Sequence, residues 1–135
     1  GQVWVLGQKE GSDAAALTRI NPSNNTASLT LNFPLTESPS HLITDATGAN
    51  LYYLDNEGIY TLASTGSTLP SAPIIAKNTR NYYAIGISPD NSTLYASDAL
   101  DFNQRSEVYI FNLQTLGEVK QLKGGIITGG FYFYP

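Results

Sequence analysis

Apolar residues in this chain come in short runs, rich in β-branched and aromatic types and separated by Gly, Asn, Asp, Ser and Pro. That pattern predicts strands at Gln2–Leu6, Ala16–Ile20, Ala27–Leu31, His41–Thr44, Asn50–Leu54, Gly58–Leu62 and Ile74–Ala76. It predicts further strands at Ala84–Ser88, Thr93–Ser97, Glu107–Asn112, Glu118–Leu122 and Phe131–Tyr134. Most are four to six residues long, the ordinary strand length. Asp13–Arg19 is the one helix-like stretch, and it is too brief and too poor in a hydrophobic stripe to stand as a helix.

The runs repeat. Ile87-Ser-Pro-Asp-Asn-Ser-Thr-Leu94-Tyr-Ala-Ser-Asp98 matches Ile43-Thr-Asp-Ala-Thr-Gly-Ala-Asn-Leu51-Tyr-Tyr-Leu-Asp55 after one extra turn residue, with Leu51, Tyr52 and Asp55 stepping by 43 to Leu94, Tyr95 and Asp98. Val3–Gly7 and Leu17–Asn21 lie over Leu94–Asp98 and Val108–Asn112 at a step of 91. A unit of about 45 residues with four short strands is the signature of a propeller blade. The expected fold is therefore all-β: about three four-stranded antiparallel β-propeller blades, 1–36, 37–77 and 78–123, with a closing first strand in 124–135. A β-sandwich is the competing solution, but it requires no internal period. Three blades are too few for a ring. The expectation is that the chain is either the C-terminal part of a longer propeller or one half of a six-bladed ring of two copies, with Phe131–Tyr134 supplying the inner strand that the blade holding Val3-Trp-Val lacks. Gly1 in place of a methionine reads as a start lying upstream.

Two elements, Ile87-Ser-Pro-Asp-Asn-Ser-Thr-Leu-Tyr and Val108-Tyr-Ile-Phe-Asn-Leu-Gln-Thr-Leu-Gly-Glu-Val, resemble the YVTN-type β-propeller repeats of secreted and surface-layer-like bacterial proteins. Their superfamily includes the quinoprotein amine dehydrogenase-like propellers. The Gly-Phe-Tyr-Phe-Tyr ending is similar to the C-termini of lipid-anchored or periplasmic members from Gram-negative bacteria. The resemblance implies fold and an extracytoplasmic setting. The quinone or tryptophan-derived cofactor chemistry of catalytic relatives usually comes with cysteines and a partner subunit, and this chain has no cysteine and one tryptophan. No cofactor is expected.

Composition narrows the chemistry. Ser, Thr and Asn number 36 while charged residues make up 13%, a strand-and-turn mixture that leans towards a place outside the cytoplasm. Seven Lys and Arg stand against 11 Asp and Glu, a net charge of −4 that argues against sequence-independent nucleic-acid binding. Without cysteine there is no disulfide or thiolate site, and the single His41 excludes a two-histidine metal motif. No apolar run is long enough for a membrane span.

The remaining candidates each carry a bland alternative. Asp55 and Asp98, at equivalent strand ends, can act as paired carboxylates or simply accept hydrogen bonds from loop backbone. Asp98, Asp101 and Asn103 offer oxygens to calcium but lack the EF-hand pattern, which favours an ordinary polar loop. His41, aligned with Ile85 on an innermost strand, either lines the central channel or packs between blades. Arg80, Asn81 and Tyr82 precede the next innermost strand and suit an anionic or sugar-like ligand, or else a solvated rim. Trp4, Tyr52 and Tyr95 recur at one blade position, which marks packing between sheets. There is no nucleophile elbow and no phosphate-cradling loop. The expected function is a non-catalytic extracytoplasmic binding or scaffold module whose rim contacts a protein, glycan or small ligand. A carboxylate-dependent hydrolase or lyase acting on carbohydrate and a purely structural two-copy ring are the alternatives.

Overall fold

The computed structural model describes residues 1–134. Eleven strands and no helix appear among them. β1 (Val3–Gly7), β2 (Ala16–Asn21) and β3 (Thr26–Asn32) form the first sheet. β4 (Ser40–Thr44), β5 (Asn50–Asp55), β6 (Gly58–Ala63) and β7 (Ile75–Ala76) form the second; β8 (Tyr82–Ile87), β9 (Thr93–Asp98), β10 (Arg105–Asn112) and β11 (Glu118–Ile126) form the third. Within each sheet the strands run in chain order and antiparallel, so every blade is a simple meander.

The middle sheet is buried on both faces, which explains why Leu51-Tyr-Tyr-Leu54 reads as a continuous apolar run. Successive side chains on a strand point to opposite faces. Leu51 and Tyr53 pack with Leu17 and Phe33 of the first sheet's side; Tyr52 and Leu54 pack with Ile85, Ile87, Leu94 and Phe111 of the third. β4 and β5 lie close against β8, so the second and third sheets meet along their first strands. Trp4 and Tyr52 both face the next sheet in chain order, as their shared repeat position requires, and Trp4 Nε1 donates to the Ser64 carbonyl across the first interface (3.2 Å).

Tyr95 occupies the same repeat position, but no fourth sheet follows among the described residues. Its ring meets Phe131 and Phe133, with centroids 5.8 and 5.5 Å away. Phe131–Tyr134 was expected to be a strand beside Val3–Leu6; it forms no strand and lies on the third sheet's outer face. The reason is geometric: β1 belongs to the sheet at the opposite side of the stack, so the segment covers the nearest apolar surface instead. Thr128 anchors it, accepting from Ser97 Oγ (2.6 Å) and donating its N–H to Ser106 Oγ (3.0 Å). β11 likewise runs on to Ile126, past the expected end at Leu122. Pro135, the last residue of the expected closing strand, lies outside the described residues.

The turns between first and second strands are held by carboxylates. Asp45 is buried, which acts to raise its pKa, but donors on Asn50, Thr47 and Ala49 outweigh burial and hold it below the ordinary carboxylate value. At the matching turn of the third sheet, hydrogen bonds from Ser88 and Ser92 pull Asp90 down to about 2. Both turns meet where Ala46 N–H donates to Asn91 Oδ1 (2.8 Å).

Two predictions follow from these contacts. A Cβ at Gly86 would sit 2.8 Å from Phe131 Cβ, so Gly86→Ala must push the C-terminal segment off the sheet. Thermal melts should show a loss of about 1–3 kcal/mol, and limited proteolysis should cut faster beyond Thr128. The folded state favours charged Asp45 and Asp90, so their contribution is complete above the unfolded carboxylate pKa of about 4 and drains as pH falls below it, for Asp90 towards about 2. The part of the urea midpoint that these two carboxylates supply should stay level from about pH 7 to 5 and drop below about pH 4. In Asp45→Asn it should start lower and fall less.

Candidate functional site

The rim at the start of β4 and β8 is built by a device used twice. Asp55 ends β5, and its Oδ1 accepts from the N–H groups of Ser38 (2.9 Å) and Asn56 (2.8 Å). Asp98 ends β9, and its Oδ1 accepts from the N–H groups of Asn81 (3.0 Å) and Leu100 (2.9 Å). Each carboxylate thus pins the chain 17 residues before it, where the first strand of its own sheet begins. Side-chain amides complete the frame, as Asn56 Nδ2 donates to Thr36 O and Asn81 Nδ2 to Leu100 O. This is the backbone-capping role of a strand-end aspartate, and it leaves Asp98 2% exposed.

Between the second and third sheets this frame surrounds a cavity of about 210 Å³, lined by Ser38, Ser40, Leu54, Asp55, Asn56, Lys77, Asn81 and Tyr82. Three residues expected to bind ligand, Asp55, Asn81 and Tyr82, therefore share one wall system. The rest of the lining went unrecognised in the sequence. Ser38 stands before β4 as Asn81 stands before β8, and that equivalence was the available signal.

Glu37 is a second omission. Burial and the adjoining Asp55 carboxylate, through its charge and a shared hydrogen bond, raise the Glu37 pKa. Tyr53 and Tyr60, stacked with centroids 5.4 Å apart, are pushed up as well, first by burial and then by Asp55 and Glu37.

The other expected residues fall elsewhere. The Arg80 guanidinium lies 3.5 Å above the centroid of Tyr109, donates to Tyr82 Oη (3.1 Å) and pairs with Glu118 (2.6 Å). Burial acts against its charge, but the Tyr82 and Glu118 bonds win and raise its pKa. Arg80 is thus spent on tying three strands together. His41 does not replace Ile85. It and Leu42 together stand opposite Tyr53, and Leu42 takes the core-facing place, while His41 sits at φ 54° in the resulting bulge. Its ring packs 5.6 Å from Tyr83, and burial lowers its pKa. Asp101 Oδ1 accepts from Asn103 and Gln104 N–H, a turn within its own loop. Among the described residues no three His, Asp or Glu side chains are placed to hold a metal ion.

A larger cavity of about 720 Å³ opens between the first and second sheets, beside Trp4, Arg19, Leu42, Leu51 and Ser64. The first sheet has three strands where the other two have four. Trp4, Leu42 and Leu51 in its walls belong to the packing surfaces of the blades, whereas the smaller cavity is lined mostly by polar side chains.

No family model matches the sequence, and no curated protein matches it. Solved structures do. The chain is similar to apo AztD from Citrobacter koseri (TM-score 0.61, 10% identity, covering 96% of this chain and 33% of that one). It is also similar to the hydrazine synthase of Kuenenia stuttgartiensis (TM-score 0.56, 13% identity, 82% and 31%) and to the dihydro-heme d1 dehydrogenase NirN in complex with DHE (TM-score 0.62, 9% identity, 95% and 28%). All three are β-propeller proteins. The chain is a run of β-propeller blades. It spans about a third of the length of these structures, and at such identity the likeness concerns fold alone.

Removing Asp98 tests the frame. Asp98→Ala leaves two N–H groups without their buried acceptor, and chemical denaturation should show a loss of about 2–4 kcal/mol. Asp98→Asn, which keeps one oxygen, should lose less.

Proposed function

We propose that this chain is a non-catalytic, extracytoplasmic β-propeller module that binds a small polar ligand at the rim between its second and third blades. One observation carries the reading: beside the carboxylate and amides of the frame, the cavity is lined by residues whose ammonium and hydroxyl no protein group engages among the described residues. Lys77 and Ser38 line it, and the Lys77 ammonium and Ser38 hydroxyl bond to no protein group among the described residues. Pockets that recognise ligands place a few convergent polar groups in a preformed concavity, and the doubled aspartate frame preforms this one. The hydroxyl-rich, charge-poor composition and the motif likeness to YVTN-type repeats support the location outside the cytoplasm. A thermal-shift screen of polar metabolites and glycans should yield a stabilising ligand, and Lys77→Ala should abolish the shift while leaving the free protein's melting temperature unchanged. Ligands that stabilise wild type and Lys77→Ala equally would refute the site.

The Glu37–Asp55 pair favours a second reading, a carboxylate-dependent hydrolase acting on carbohydrate. Burial and the adjoining Asp55 raise the Glu37 pKa, which suits a general acid. Turnover of a glycoside that disappears in Glu37→Gln would establish it.

A further inference from the structure

Among the residues that line the rim cavity, Asp55 and Lys77 carry opposite charges. One turn brings them together. Asp55 ends β5, Gly58 opens β6, and the short β7 returns to pair Ala76 with Gly58. Lys77 follows at once, its N–H donating to Glu57 O (2.8 Å) and its carbonyl accepting from Arg80 N–H (2.8 Å). Gly58 makes this approach possible. It sits at φ 147°, and a Cβ there would lie 2.9 Å from Lys77 N and closer still to the Ile75 carbonyl. Both charged side chains therefore leave the backbone at points that hydrogen bonds already fix.

The two charges do not neutralise each other. The ion pairs among the described residues join Arg80 to Glu118 and Lys123 to Glu107. Asp55 Oδ1 accepts from Ser38 and Asn56 N–H, while Oδ2 accepts from no N–H group among the described residues. Glu37 adjoins that carboxyl and lies outside the cavity lining. Asp55 and Lys77 are both half-buried, so a ligand seated between them removes water from each.

Covering a charge is costly unless a partner replaces the water it loses. A sugar or polyol would strip both groups and return only neutral hydrogen bonds. An anion would satisfy Lys77 and meet repulsion at Asp55, and a cation would do the reverse. A ligand that carries both signs leaves neither group unpaired, and the site rejects the others by the charge each leaves stranded. Size narrows the class further. A cavity of about 210 Å³ holds about seven waters at ~30 Å³ each, room for a single amino acid and not for an oligomer. Apart from Leu54 and the Tyr82 ring the lining is polar, which favours a small polar side chain.

We propose that the rim cavity binds a free α-amino acid with a small polar side chain, its ammonium against Asp55 and its carboxylate against Lys77. This rests on the rim-pocket reading and adds the ligand class. Calorimetric titration of the whole chain with glycine, L-serine, L-threonine, L-asparagine, glucose and glycerol tests it. At least one amino acid should bind. Its decarboxylated amine and its deaminated acid, which each lack one charge and add no bulk, should bind at least about tenfold more weakly. In Lys77→Ala the amino acid and its decarboxylated amine should bind alike, because the carboxylate has lost its partner. Asp55→Asn, which keeps an oxygen for the frame, should likewise erase the advantage over the deaminated acid. One-charge analogues that match the amino acid on the unaltered chain, or a carboxylate preference that survives Lys77→Ala, overturn the assignment. Glucose or glycerol binding that depends on Lys77, with no amino acid bound, overturns the ligand class while the rim-pocket reading stands. If neither these probes nor the wider screen yields a Lys77-dependent ligand, both fall.

Discussion

A sheet that is apolar on both faces has to be sandwiched. β5 imposes that constraint, because Leu51 and Tyr53 point one way, Tyr52 and Leu54 the other, and all four are buried. Exposing either face would put a contiguous apolar patch in water, which is what limits how a blade can exist alone. The neighbours on each side then inherit the problem on their own outer faces. The third sheet solves it with chain already in hand: Phe131 and Phe133 lie on Tyr95, and the missing side chain at Gly86 lets Phe131 approach the backbone. Among the described residues the first sheet has no such cover. Val3 and Val5 stand at the repeat positions of Leu51 and Tyr53, yet are 47% and 44% exposed.

The repeat made most of this readable in advance. Because Leu51, Tyr52 and Asp55 recur 43 positions later, the same residue types had to face the same surroundings twice, and blade order followed. The strand-end aspartates were legible in the same way, down to their backbone-capping alternative. Phe131–Tyr134 was not. Its alternation satisfies a strand, but strand formation needs a free edge within reach, and the segment instead met an uncovered face first. Pairing partners are a tertiary matter that alternation alone does not specify.

Bulges account for the other discrepancy. Periodicity arguments count residues two by two, so one inserted residue shifts every later assignment to the wrong face. Aligning His41 with Ile85 assumed an unbroken ladder; the extra residue in β4 hands the core position to Leu42 and leaves His41 outside. Arg80 stands on the rim as expected, where Tyr82 and Glu118 take two of its donors and the Tyr109 ring packs against its guanidinium, partners that no single-strand reading could have brought together.

The rim's rigidity and its free polar groups come from different atoms. Asp55 and Asp98 spend Oδ1 on backbone N–H groups, and Asn56 and Asn81 spend their Nδ2 on carbonyls. Those bonds hold the entrance to β4 and β8 in place whether or not anything is bound. The hydroxyl of Ser38 and the ammonium of Lys77 do none of that work. A ligand engaging them meets a surface already ordered, so little conformational entropy is lost at the protein when it binds. The blade interface thus does for the pocket what the neighbouring sheets do for β5: it fixes geometry through packing and backbone bonds, and leaves the side chains facing outward free to choose a partner.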